Sequence, residues 1–183
     1  MKRIAVQLAE GFEEIEAVTI IDILRRAEIE VITVSITGKL EITGSHKITI
    51  IADQLFEDTD YSAIDMIILP GGMPGAEHLN NHSGLKKQII EFSKKGKQLG
   101  AICAAPLVFG ELGLLKNMEA TCYPGFENRL KGATTTGKNI EVSGSIITGK
   151  GAGVAIEFSL KIVKILSGEK FAGELVEKLM FLK

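Results

Sequence analysis

The run from Ile64 to Leu69, apolar but for Asp65, stops abruptly at Pro70-Gly71-Gly72-Met73-Pro74-Gly75. Apolar residues at successive positions, not at every second one, mark a strand buried on both faces. Such strands belong to parallel sheets covered by helices on each side. The glycine-rich sequel lets backbone N–H groups approach a ligand closely. A second stretch repeats the arrangement. Gln98-Leu99-Gly100-Ala101-Ile102 reads as a buried strand, Cys103 follows at once, and Pro106 fits the first turn of a helix, where its missing N–H is not needed.

Strand patterns at residues 3–9, 30–37 and 145–148 alternate with helix patterns at 13–27, 76–80, 83–95, 154–166 and 170–180. Two short strands at 40–43 and 47–52, on either side of Gly44-Ser45-His46, read as an antiparallel hairpin. Residues 120–123 are expected to be a strand, and the remainder of 119–142 irregular turns. The alternation predicts an α/β fold with a mainly parallel sheet and helices on both faces. No repeat, low-complexity tract or long linker divides the chain, so 1–183 reads as one domain, long enough to bury about 70% of its unfolded surface.

The first helix is apolar nearly all round. Ile15, Ala17, Val18, Ile20, Ile21, Ile23 and Leu24 leave only Thr19, Asp22 and Arg26 as a polar line. A helix packed on a sheet needs a single apolar stripe, so this one is expected to meet a second surface, a homodimer contact. With a net charge of −2, scattered Lys and Arg and 5% aromatics, the chain offers no nucleic-acid groove. No stretch has the roughly 18 to 20 apolar residues of a membrane span. The apolar run after Met1-Lys2-Arg3 is broken by Gln7, Glu10, Glu13 and Glu14, unlike a signal peptide. Two cysteines without a CxxC or a Cys/His cluster point to a reducing, cytoplasmic setting with neither disulfide nor structural metal.

In open parallel sheets the site lies beyond the carboxyl ends of the strands. Three loops qualify: residues 10–16, the Gly71-Gly72 loop and the Cys103 elbow. A cysteine where a strand turns into a helix meets free N–H groups and the positive end of a helix dipole, which favour thiolate. The alternative is a small buried apolar residue, and that is how Cys122 reads. Residues 144–151 approach a phosphate-binding GxxxxGK[ST] loop, but Gly151 stands where a hydroxyl would reach Mg²⁺. Gly149, Gly151 and Gly153 read as tight-turn glycines. His78 and His82 are parted by Asn80-Asn81, and His46 belongs in the hairpin. No cofactor or metal is expected.

Four segments carry a resemblance over essentially the whole chain: AEGFEEIEAV at 9–18, DMIILPGG at 65–72, GAICAAP at 100–106 and ITGKGAGVAIEFSLKIV at 147–163. The chain resembles the DJ-1/ThiJ/PfpI superfamily, and within it the DJ-1/YajL-like branch. The resemblance implies a flavodoxin-like sandwich of the class I glutamine amidotransferase-like kind, and a homodimer built partly on the first helix. It implies Cys103 as nucleophile, Glu16 as proton shuttle, and the N–H groups of Gly72 and Ala104 as an oxyanion hole. Helical spacing alone does not choose Glu16 over Glu13 or Glu14.

Two departures stand out. Many members carry His before a Pro that here follows Tyr123, and a phenol is a poor base at neutral pH, although it can orient a ligand oxygen. Ala104 stands where the peptidase branch has His, so peptidase chemistry loses its base. The activity implied is a cofactor-free, cysteine-dependent glyoxalase or deglycase acting on methylglyoxal, glyoxal or glycated protein. The alternative is a redox-sensing protective chaperone in which Cys103 is oxidised to sulfinate beside a protonated Glu16. An association with thiamine biosynthesis finds no phosphate or nucleotide site to support it.

Overall fold

The structure, a computed structural model, describes residues 2–181. In chain order it contains β1 (Arg3–Leu8), α1 (Glu14–Arg26), β2 (Glu30–Ser35), β3 (Glu41–Thr43), β4 (Thr49–Ile51), β5 (Gln54–Leu55), β6 (Met66–Leu69), α2 (Gly75–Asn81), α3 (Ser83–Lys94), β7 (Gln98–Ile102), α4 (Pro106–Glu111), β8 (Glu119–Ala120), β9 (Thr134–Thr135), β10 (Ile140–Ser143), β11 (Ile146–Gly149), α5 (Ala155–Ser167) and α6 (Glu169–Lys178). Seven strands form one sheet in the order β10-β11-β7-β6-β1-β2-β5. All neighbours in it are parallel except the β10–β11 pair. β3 and β4 form the separate antiparallel hairpin that the sequence predicts.

The strand side chains divide the core in two. Ile4, Val6, Leu8, Met66, Ile68, Ile102 and Ile147 face a layer built from Ala17, Ile20 and Leu24 of α1 and Phe158 and Ile162 of α5. Ala5, Ile67, Leu69, Leu99, Ala101 and Ile146 face Leu79, Leu85, Ile89, Leu107 and Val108 on α2, α3 and α4. Each large side chain buried in either layer contributes about 1.5–3 kcal/mol relative to exposure. Because both faces are covered, β6 and the last four residues of β7 are buried throughout. The polar interruption at Asp65 lies just outside β6, where its carboxylate accepts the Arg3 N–H at 2.9 Å and pairs with Lys2.

Three expectations need correction. The strand expected over 120–123 ends at Ala120, because the next backbone groups are drawn elsewhere. Thr121 donates its N–H to Thr148 Oγ1, and Tyr123 donates its N–H to the Cys103 carbonyl. The stretch expected to be only turns also contains β10, an edge strand whose alternating polar residues carry little hydrophobic signal. Gly149 is no turn glycine either. It ends β11, and a Cβ there would come within 2.9 Å of Ile102 and Phe158.

Candidate active site

The carboxyl ends of β1, β6 and β7 bring the three candidate loops together. Glu13 donates its N–H to the Gly71 carbonyl at 2.9 Å, and Gly75 donates to the Gly11 carbonyl at 3.3 Å, which ties the first loop to the second. Cys103 follows β7 in the left-handed region, at φ 63°. A non-glycine residue there carries strain that the surroundings must overcome. They do so on both sides: the Cys103 N–H donates to the Gly149 carbonyl at 2.9 Å, and its carbonyl accepts the Tyr123 N–H at 2.8 Å. Pro106 opens α4 as expected.

Glu16 is fully buried on the first turn of α1. Its Oε2 accepts the Gly71 N–H at 2.7 Å. Its Oε1 has no hydrogen-bond partner, and the carboxyl lies against the Cys103 thiol. The N–H groups of Gly72 and Ala104 also face that sulfur. Gly71 must lack a side chain for this packing, since a Cβ would fall 2.6 Å from the Cys103 Cβ and 2.8 Å from Glu16 Oε2.

The proton balance differs from the acidic thiol expected of an elbow cysteine. Burial, followed by the negative charge and hydrogen bond of Glu16, pushes the Cys103 thiol up to about 12, against the Gly72 and Ala104 N–H groups. Burial likewise pushes Glu16 up to about 7, although the Gly71 N–H pulls the other way. The site therefore resists holding two negative charges. Protonation of Glu16 removes one of the charges that oppose a thiolate, and the two groups titrate as a pair.

Glu13 and Glu14, the other two acids at the start of α1, face the β3–β4 turn instead. Glu14 is buried under the β3–β4 turn, where its Oε1 accepts the His46 N–H at 2.7 Å and its Oε2 lies 3.0 Å from His46 Nδ1. Burial would raise this carboxyl, but the bonds from His46 and the turn backbone hold it at about 2. Gly44 leaves the room, since a Cβ would lie 2.2 Å from Glu14 Oε1. Glu13 reaches Ser45 Oγ at 3.4 Å. Among the described residues, Glu13, Glu14 and His46 are the group whose atoms approach closely enough to share a metal ion. The bonds they make instead latch the hairpin onto α1.

Tyr123 stands half exposed beside the elbow, its ring near Gly151, where a Cβ would come within 3.3 Å of Cδ2. Cys122 is buried in the layer formed with α2, α3 and α4. His78 sits on α2 and bonds the Glu10 carbonyl, whereas His82 caps α3, so the two do not form a pair. Sequence reasoning missed the Gly71 N–H and the Gly149 carbonyl as supports of the site. The Pro-Gly-Gly signal marked the first, and nothing in the local pattern marked the second.

A profile of the DJ-1/PfpI family matches residues 2–165. The chain belongs to the DJ-1/PfpI family. Protein DJ-1 homolog B of Arabidopsis thaliana is 39% identical over 175 residues, covering 94% of this chain but 40% of that protein, so the chain spans under half of this relative. A Caenorhabditis elegans family member named glutathione-independent glyoxalase DJR-1.2 is 30% identical over 176 residues, covering 95% of this chain and 93% of that protein. The solved structure of oxidized Toxoplasma gondii DJ-1 superposes with a TM-score of 0.96 at 34% identity, covering all of both chains. The sheet order and flanking helices described above are thus the DJ-1/PfpI arrangement, the flavodoxin-like fold of the class I glutamine amidotransferase-like kind. Among the described residues no helix is long and apolar enough to cross a membrane.

Proposed function

We propose that this chain is a cysteine-dependent, cofactor-free glyoxalase that converts methylglyoxal or glyoxal, free or as protein adducts, to the 2-hydroxy acid. The observation that carries the reading is the convergence of the Glu16 carboxyl and two backbone N–H groups on the Cys103 sulfur. The name of the Caenorhabditis elegans relative supports it. The Cys103 sulfur attacks the aldehyde carbon, forming a hemithioacetal, and the charge that leaves sulfur for the aldehyde oxygen is received by the Gly72 and Ala104 N–H groups. Glu16 takes the thiol proton as sulfur attacks and passes it to that oxygen. The freed carboxylate then takes the proton from the former aldehyde carbon and returns it to the adjacent carbon while the hydroxyl proton moves to the neighbouring oxygen, giving a 2-hydroxy thioester. Water cleaves the thioester, releasing the acid and restoring the thiol. Tyr123 supplies a hydroxyl beside the elbow to orient the second carbonyl.

The test is lactate formation from methylglyoxal without glutathione or added metal. Steady release of lactate by the folded wild-type protein is expected, and none would overturn the proposal. A second reading, redox sensing, rests on the contrast between partly buried Cys103 and buried Cys122. Mild peroxide followed by mass spectrometry is expected to oxidise Cys103 first, and equal oxidation of both cysteines would exclude it.

The homodimer belongs to the same proposal. Ile15 and Val18 on α1 are 58% and 47% exposed, and Ile48 and Ile51 on the latched hairpin are 55% and 72% exposed. A second copy is the partner that such an apolar surface fits. Wild type is expected to sediment as a dimer and Val18→Asp as a monomer. A monomeric wild type, or a variant that stays dimeric, would contradict this.

A further inference from the structure

The segment that carries Tyr123 has little regular structure of its own: two residues on each side, in β8 and β9, pair with one another, and Glu127–Arg129 form a single 3-10 turn. One side chain compensates. Arg129 grips Glu77 of α2 with two bonds, Nη1 to Oε1 at 2.8 Å and Nη2 to Oε2 at 3.4 Å. Its Nε donates to Glu111 Oε1 of α4 at 2.5 Å, and Asn80 Nδ2 holds the other oxygen of Glu111 at 2.9 Å. The guanidinium fork suits two carboxylates approached in one plane, and the three charged side chains are partly shielded from water, at 22–31% exposure.

These partners are the helices that leave the site. α2 begins just beyond Gly72, and α4 just beyond Cys103 and Ala104. Arg129 therefore joins, in one ion cluster, the three segments that bear Gly72, Cys103 and Tyr123. Its backbone lies directly on α4: a Cβ on Gly110 would come within 2.3 Å of the Arg129 carbonyl oxygen. From Arg129 back to Tyr123 the turn is closed by short bonds. The Arg129 N–H donates to the Phe126 carbonyl at 2.9 Å, the Phe126 N–H to the Tyr123 carbonyl at 3.1 Å, and the Gly125 N–H to Glu127 Oε2 at 2.7 Å.

We infer that Arg129 is a positioning residue that sets where the Tyr123 ring stands at the mouth of the Cys103 site. Its consequence for turnover rests on the proposed role of Tyr123 with substrate. Its consequence for the ring does not.

The chain has two tyrosines and no tryptophan. Tyr61→Phe therefore leaves Tyr123 as the sole tyrosine fluorophore, and Tyr123→Phe leaves Tyr61, which is buried and bonded to Gln7, as an internal control. In the first background, Arg129→Met is expected to lower the tyrosine fluorescence anisotropy, with Arg129→Lys intermediate because it keeps the charge but not the fork. In the second, the anisotropy is expected to stay constant. No change at Tyr123, or an equal fall at Tyr61, would overturn the inference, the latter by showing general loosening. In turnover of methylglyoxal, Arg129→Met is expected to raise KM several-fold, and to add little once Tyr123 is already alanine. Additive losses would overturn the coupling. A wild type without turnover would defeat the glyoxalase reading alone, with the anisotropy still deciding the role of Arg129.

Discussion

Cys103→Ser is expected to abolish lactate formation from methylglyoxal, and Glu16→Gln to lower it by about 10²–10⁴-fold. Serine offers a far weaker nucleophile at the same strained elbow, with no histidine beside it to take its proton. Glutamine keeps the size of Glu16 and an oxygen for the Gly71 N–H, so the loop that presents Gly72 should survive, but it moves no proton. Measured kcat for both variants, beside iodoacetamide labelling of Cys103 in Glu16→Gln to show that the thiol is still presented, checks the assignment. Activity within tenfold of wild type in either variant would refute it.

The carboxyl also predicts a stability change of definite sign. The Glu16 pKa is raised from its ordinary value near 4.5 to about 7, so the folded state binds more protons than the unfolded chain across that window. Stability contributed by the protonated, buried carboxyl is complete below about 4.5 and is lost as pH rises through about 7. Glu16→Gln, which cannot ionise, should therefore be more stable than wild type at pH 8 by on the order of 3 kcal/mol, read as a higher Tm, while removing activity. Such an exchange is what a functional group held in a costly environment produces.

Gly72→Ala is expected to destabilise the fold by about 3 kcal/mol or more and to remove turnover with it. Gly72 has φ +89°, and an added Cβ would fall 2.3 Å from the Glu13 nitrogen and 2.6 Å from the Gly11 oxygen. Both are backbone atoms of the β1–α1 loop, so relief requires the two loops to separate. That separation would withdraw the Gly72 N–H from the sulfur. Gly113→Ala is the control, because it has φ +73° but nothing within 4 Å of the added carbon. It should cost about 1 kcal/mol, the conformational part alone. Urea midpoints for the two variants check this, and equal losses would show that the loop contact is not what Gly72 provides.

Local pattern determined a large part of this protein. The uninterrupted apolar runs, the Pro-Gly-Gly turn and the Cys-to-Pro106 spacing place β6, β7 and the elbow, because each depends on residues adjacent in the chain. The all-round apolar pattern of α1 likewise anticipates the exposed Ile15 and Val18. The edge strand β10 and the course of residues 121–130 were not legible, since polar backbone there is directed by Thr148, Cys103 and the Arg129 cluster from distant parts of the chain.

Tertiary contacts separate the three acids that helical spacing leaves equal. Glu13, Glu14 and Glu16 share one helical turn with the same dipole and the same chemistry. Glu14 is claimed by the hairpin turn at His46, and Glu16 meets Gly71 and Cys103. Tertiary structure also set the proton balance of the pair, because burial raises both groups, against the Gly72 and Ala104 N–H groups at the sulfur and the Gly71 N–H at the carboxyl. Sequence neighbours set backbone conformation, but the cost of a buried charge depends on what the rest of the fold packs around it.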